Sequence, residues 1–135
     1  MLFRSRYFTL YKRWHLIGLE VGVSVASVAL RGEATGVATC WNADVVATAK
    51  RDLKPGDVLD GEGGYTVWGK LLPAATSARI GGLPLGLAHE VKVTRPVAKG
   101  QSLVWSDVAM DTTTPAYRLR REMEALFALP VLKTA

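Results

Sequence analysis

The chain has 135 residues, 49% of them hydrophobic, and a mean hydropathy of +0.15, which excludes global disorder and makes one domain with an attached segment the expectation. Its net charge is +5, yet Arg4, Arg6, Lys12 and Arg13 stand among residues 1–13 with no acid beside them, so the remainder carries only +1. A nucleic-acid binder spreads its basic residues over the folded surface, so this distribution argues against that class. The one cysteine, Cys40, excludes an intramolecular disulfide and a cysteine-rich metal site and fits a reducing compartment.

Residues 1–13 have no hydrophobic period and lack a signal peptide's order of basic head, apolar run and small-residue cleavage site. Leu2-Phe3-Arg4-Ser5 is also the translated end of a common sequencing adapter, which makes residues 1–6 a candidate assembly scar, set apart from fold reasoning. A helix is expected over about residues 14–30, where Gly18, Gly22, Ala26 and Ala29 can share one face and Arg31-Gly32 supplies a C-terminal cap. Residues 16–30 include Glu20 and fall short of the ~20 apolar residues that span a bilayer. So apolar a helix should be buried, and its burial calls for a partner domain or subunit.

After a loop over residues 32–43, residues 45–59 read as a strand, a tight turn at Pro55-Gly56 and a second short strand. The pattern returns 44 residues later, over 92–103: Arg51 matches Arg95, Leu53 matches Val97, Gly56 matches Gly100 and Leu59 matches Leu103. Two such arches predict a small β domain built on an internal quasi-repeat. Between them, the glycines of residues 60–69 lack the Gly-Lys-Ser/Thr of a phosphate loop, so a turn into a strand at residues 65–68 is expected. Residues 70–80 read as a loop or a short helical turn, and residues 81–86 as a connection that places Leu83, Leu85 and Leu87 in a core. A C-terminal helix is expected over about residues 114–128, with Thr114 as N-cap, Pro115 at the first position, an apolar stripe of Leu119, Met123, Leu126 and Phe127, and i,i+4 pairs Arg118–Glu122 and Arg120–Glu124.

Candidate chemistry is sparse. His15 and Glu20 are the strongly polar groups of an apolar stretch, the kind of setting that shifts a pKa. His89 and Glu90 precede a strand, so alternation should send their side chains to opposite faces, which argues against a catalytic pair. Asp52, Asp57, Asp60 and Glu62 gather near the first turn, but Lys50, Arg51 and Lys54 lie among them and no calcium-loop signature is present; a solvated turn is expected, and no metal site. Neither a nucleophile elbow nor a dinucleotide Gly-x-Gly-x-x-Gly after a strand occurs, so no cofactor is expected in this chain.

Residues 49–59, Ala-Lys-Arg-Asp-Leu-Lys-Pro-Gly-Asp-Val-Leu, resemble a SAF domain, the β-clip module shared by type III antifreeze proteins, the sialic acid synthase C-terminus, and pilus and flagellar assembly factors. His15-Leu16-Ile17-Gly18-Leu19-Glu20, Ser24-Val25-Ala26, Gly63-Gly64-Tyr65-Thr66-Val67-Trp68-Gly69 and Leu85-Gly86-Leu87-Ala88 narrow the resemblance to the C-terminal part of homoserine dehydrogenase-like NAD(P)-dependent oxidoreductases, a group that includes 1-deoxy-D-xylulose 5-phosphate reductoisomerase-like enzymes. Arg13 departs from the proline that group tends to place before its aromatic-His-Leu.

The resemblance implies an α+β, mainly β fold: a SAF-like β-clip over residues 41–135 and, over residues 1–40, the remnant of a catalytic domain. It implies a cytoplasmic parent with an N-terminal Rossmann domain that binds NADP(H) and a catalytic domain, both absent here, acting on a phosphorylated sugar or similar oxo compound. His15 and Glu20 would then lie near the parent's active site, and this non-catalytic fragment would serve packing or homo-oligomer contacts. The alternative is a free-standing SAF module that binds a small carbohydrate or sugar acid, with Arg51, Lys70 and Arg95 as charge-assisted donors to a carboxylate. A periplasmic assembly chaperone is disfavoured, since no export signal is visible. Neither nucleic acid nor a membrane is expected as a partner.

Overall fold

The computed structural model describes residues 11, 13–14, 16–36 and 39–127, apart from the side chains of Ile17, Leu19 and Glu20. The fold is α+β, with two small antiparallel sheets and three α-helices among the described residues, and the chain divides into two units, residues 1–39 and 40–135.

The first unit holds α1 (Ile17–Ala26), which starts later than Trp14 and widens into a π-helical turn, Ser27–Arg31. Gly32 ends it at φ +64°, donating its N–H to Val28 O at 3.1 Å, as the Arg31-Gly32 pair led us to expect. Val21, Val23, Val25, Val28 and Leu30 are exposed, so the chain by itself does not supply the burial expected from a partner domain or subunit. Val21, Val25 and Val28 fall on one face while Val23 falls on the opposite one, so no single stripe collects the apolar surface. Among the described residues no helix is long and apolar enough to cross a membrane.

The second unit begins with β1 (Ala43–Ala49), followed by β2 (Val58–Asp60), β3 (Val67–Pro73), α2 (Ala74–Ile80), β4 (His89–Val93), β5 (Val108–Ala109) and α3 (Pro115–Leu126). β1 pairs with β3, and β4 lies between β2 and β5. β3 starts at Val67, two residues after the expected start, and runs to Pro73; the rest of the stretch read as loop or turn is α2. Pro73 is the hinge between them, since its ring permits an extended φ of −56° at the helix entry but no interior helical position.

A pseudo-two-fold axis passes between Leu53 and Val97, which exchange both main-chain hydrogen bonds at 2.8 and 3.1 Å. Residues 44 apart are related by it. Gly56 N–H donates to Val93 O and Gly100 N–H to Ala49 O, each at 2.8 Å; Val93 N–H donates to Asp57 O at 2.8 Å and Ala49 N–H to Gln101 O at 2.9 Å. Each arch turns through a type II geometry, closed by Asp57 N–H to Lys54 O and Gln101 N–H to Ala98 O, both 3.0 Å, with Gly56 and Gly100 at φ +94° and +81°. Those two positions need glycine, because an L side chain is strained there. Even the side chains repeat: Asp57 Oδ2 accepts from Lys54 N–H at 3.1 Å, and Gln101 Oε1 from Ala98 N–H at 3.3 Å.

The same axis relates the second strand of each half. Ala49 pairs with Val67 as Val93 pairs with Val108, and Thr48 with Trp68 as Lys92 with Ala109. The linking segment is three residues longer in the first half, 61–66 against 105–107. Leu53, Leu59, Val67, Leu83, Val93, Val97 and Leu103 are fully buried around the axis, with Leu85 and Leu87 packed against them, so the 81–86 connection delivers its leucines as expected.

α3 keeps its expected cap: Thr114 Oγ1 accepts from Tyr117 N–H at 3.3 Å, with Pro115 first in the helix. Its expected stripe packs only in part: Met123 and Phe127 are half-buried, but Leu119 and Leu126 are 65% and 76% exposed. The face turned inward instead presents Tyr117, Arg120 and Glu124. Ring edges and an ion pair anchor it: Trp105 and Tyr117 meet edge to face at 5.5 Å, and Arg120 stacks at 4.9 Å on Trp41. Position 128, the expected end, lies outside the described residues.

Candidate functional site

The three arginine and lysine positions expected to bind a carboxylate do not come together. Arg51 Nη1 is 2.9 Å from Asp57 Oδ2, and Arg95 bonds Asp107 through Nε and Ser106 Oγ at 2.9 Å through Nη2. Lys70 is exposed on β3 opposite Val46. No hydrogen bond or ion pair links any two of the three. Arg51 and Arg95 are related by the pseudo-two-fold, and each is neutralised by an acid that its counterpart lacks: position 57 corresponds to Gln101, and position 107 to Thr66. His15 lies outside the described residues, as does the Glu20 side chain, so nothing bears on their expected role.

The glycine-rich segment 61–64 is filled by protein. Asp60 accepts hydrogen bonds from Tyr65 N–H at 2.5 Å, Thr66 N–H at 3.0 Å and the Thr66 hydroxyl, and a Cβ at Gly64 would overlap its carboxylate. Burial opposes the charge, but these donors outweigh it and pull the Asp60 pKa down to about 2. The loop's own N–H groups at Tyr65 and Thr66 are taken by this carboxylate, and β3, not a helix, follows. Loop 61–66 is therefore not shaped as a dinucleotide's phosphate loop.

The most site-like feature is one that strand alternation argued against. Leu59 pairs with Val91 but Asp60 pairs with His89, so Glu90 is the extra residue of a β-bulge. It is the one non-glycine residue with positive φ among the described residues, at +55°. This left-handed step breaks the alternation, and Glu90 Oε1 comes 4.0 Å from His89 Nε2 instead of leaving by the other face. His89 Nδ1 is 3.3 Å from Asp60 O, so an Nδ1–H donated there leaves Nε2 facing Glu90. The two line a cleft of about 300 Å³ with Leu87, Val91, Met110, Asp111 and Thr114. Asp111 accepts from Thr113 N–H at 2.8 Å and Thr113 Oγ1 at 2.6 Å, which lowers its pKa. An imidazole and two carboxylates beside apolar walls can hydrogen-bond a small hydroxylated molecule. A register slip or bulge was the missing signal; Glu90, neither glycine nor asparagine, gives no sequence cue for φ > 0.

A third cluster is structural. Arg120 grips Asp44 with two nitrogens at 3.0 and 2.6 Å and holds Glu124 at 2.8 Å, while Ser77 Oγ donates to Asp44 at 2.5 Å. Burial works against the Asp44 charge, yet the Arg120 and Ser77 hydrogen bonds prevail and hold its pKa below the ordinary value. Burial likewise opposes the Arg120 charge, and its two carboxylates raise its pKa above the usual range. Of this cluster the sequence showed only the Arg120–Glu124 pair; Arg118–Glu122 is not formed. Among the described residues no group of three or more His, Cys, Asp and Glu side chains is placed to hold a metal ion. No protein-family model matches the chain, and no curated protein is significantly similar to it.

Proposed function

We propose that residues 40–135 are a SAF-like β-clip serving as the non-catalytic C-terminal module of a cytoplasmic, homoserine dehydrogenase-like NAD(P)-dependent oxidoreductase. The parent transfers hydride between NADP(H), held by an N-terminal Rossmann domain, and a phosphorylated sugar or similar oxo compound. His15 and Glu20 stand where the parent's catalytic domain ends. One observation carries this reading: the paired arches, with the Arg-x-Leu-x-Pro-Gly turn of one half answered across the Leu53–Val97 axis by the other. The Asp60-filled glycine loop supports the cofactor's being held elsewhere. N-terminal mapping of the native protein by mass spectrometry tests it, together with an NADPH titration of this chain followed by tryptophan fluorescence. Peptides encoded upstream of Met1 and no saturable NADPH binding are the expected results. A native N-terminus at Met1, or saturable binding by this chain, overturns it.

A second reading, a free-standing module that binds a small carbohydrate, is favoured by the His89–Glu90 cleft. Arg51 and Arg95 are already paired with acids, so the cleft suits a neutral sugar better than a sugar acid. Thermal stabilisation by a panel of neutral sugars, abolished by His89→Ala, is the expected outcome. No shift with any sugar disposes of it.

A further inference from the structure

The cleft opens where the pseudo-two-fold stops being obeyed. In the first half, β1 and β3 stay paired from Ala49–Val67 out to Ala43–Pro73. In the second, β4 and β5 pair only at Val93–Val108 and Lys92–Ala109. The axis calls next for Val91 with Met110 and Glu90 with Asp111, the counterparts of Ala47 with Gly69 and Val46 with Lys70. Those pairs do not form. Two carboxylates directly opposed on paired strands repel, and Glu90 is left-handed, so pairing ends there and Glu90, Val91, Met110 and Asp111 all line the cleft. Where the first half sets a valine against a lysine, the second sets two acids and a space of about 300 Å³. None of the residues lining that space is a lysine or an arginine. Arg118 acts on Asp111 through space but forms no ion pair with it, and Glu90 meets His89 Nε2 at 4.0 Å. The imidazole is fixed beside them: its Nδ1 is 3.3 Å from Asp60 O, and a Cβ at Gly61 would come 3.1 Å from that same Nδ1.

We propose that the ligand of this cleft is an amino sugar, a single hexose ring whose protonated amine is shared by Glu90 and Asp111. The inference rests on the reading of the cleft as a sugar site and adds the charge that the sugar carries. An ammonium at this place exchanges a repulsion between two acids for two charge-assisted hydrogen bonds. A neutral hexose leaves the repulsion as it is, and a sugar acid adds a third negative charge to it. With Nδ1–H donated to Asp60 O, His89 Nε2 is free to accept a hydrogen bond from a ring hydroxyl. Leu87, Val91 and Met110 offer apolar surface to the C–H face of the ring. A cleft of about 300 Å³ is at the small end of ligand pockets, which suits one ring and not an oligosaccharide.

Isothermal titration calorimetry of the whole chain near neutral pH tests the proposal, with glucose, glucosamine, N-acetylglucosamine and methylammonium as the probes. Glucosamine should bind at least ~10-fold more tightly than glucose, as a charge-assisted contact requires. N-acetylglucosamine, whose nitrogen carries no charge, should bind no more tightly than glucose, and methylammonium should show no saturable binding. Glu90→Gln and Asp111→Asn should each cut the glucosamine-to-glucose affinity ratio by ~3-fold or more, and added salt should narrow it. The ratio is the readout because a variant that is merely less well folded weakens both sugars alike. Glucosamine binding no more tightly than glucose overturns the amino-sugar assignment and leaves the neutral-sugar reading standing. Methylammonium binding as well as glucosamine, or a ratio that neither variant changes, overturns it too. Binding by none of the sugars removes the sugar reading itself, and the assignment with it.

Discussion

The two halves around the Leu53–Val97 axis agree closely near it and diverge away from it. Within the arches the bonds repeat to within about 0.3 Å, down to the Asp57 and Gln101 side chains that tie the turns. Farther out, each position has met a different neighbour. Asp44 corresponds to Ala88: the first is buried as a charge between Ser77 and Arg120, the second is a methyl in the core. Val46, fully buried, corresponds to Glu90, left-handed on the cleft. The repeat thus supplies a rigid centre, and the divergent ends carry what is individual to this protein: a latch for α3 in one half and a cleft in the other.

Breaking the latch should have the largest effect. Arg120→Ala leaves the Asp44 carboxylate buried with Ser77 alone, and loss of one partner of a buried pair costs about 3–5 kcal/mol. Urea unfolding measures it; the matching change at Ala88, to Gly, removes no charge and should cost far less. Because removing both partners spares the desolvation penalty, Asp44→Ala combined with Arg120→Ala should be less destabilising than Arg120→Ala alone. At the axis, Leu53→Ala should cost about 2–4 kcal/mol by opening a cavity, and Val97→Ala a smaller amount in proportion to the side chain removed. A much smaller cost for either would mean that the arches are held by their turns and not by the core between them.

What the sequence revealed follows the same division. Near the axis, glycine at the two turns and leucine or valine at 53, 59, 97 and 103 have one physical explanation each, so the repeat was visible by inspection. The C-terminal helix betrayed its cap, Thr114-Pro115, but not its inward face, because Arg120 and Glu124 read as surface residues until Asp44, 76 positions away, is folded beneath them. The apolar run of α1 suggested burial that 17–31 alone cannot supply. His89-Glu90 looked like two residues on opposite faces, since alternation holds only in a strand without a bulge. Long-range pairing and a single left-handed residue are invisible to periodicity, and both lie at the divergent ends.

The loop that lengthens the first half makes a pH-dependent test. Asp60 titrates near 2 when folded and near 3.8 when unfolded, so its stabilisation is full above about pH 4 and is lost as pH falls through 2. With allowance for solvent around a partly exposed loop, its contribution is on the order of 1 kcal/mol. Asp60→Asn should therefore lower stability at pH 7 by about that much, and the gap between variant and parent should close near pH 2. The counterpart Val104 is tied by Asp107, whose Oδ2 accepts its N–H at 2.8 Å as Thr66 Oγ1 accepts that of Asp60 at 3.1 Å. A gap that persists unchanged at pH 2 would mean that Asp60 acts through the shape of the loop and not through its charge.

The smallest expected effect has the opposite sign. Glu90 holds φ +55°, a conformation glycine adopts without strain, whereas its counterpart Val46 lies in a regular strand. Glu90→Gly removes the steric cost of the left-handed step but loosens the unfolded chain, and the balance should be a gain of about 0.5 kcal/mol. Val46→Gly, with no strain to relieve and a buried side chain to lose, should cost stability. If the cleft binds a neutral sugar, the same Glu90→Gly chain should be more stable alone and bind it more weakly, because the carboxylate beside His89 is gone. Stability and affinity moving in opposite directions is what a strained residue kept for its ligand produces. A stabilised chain with unchanged sugar affinity would leave the bulge as a consequence of how the second arch ends, with no part in recognition.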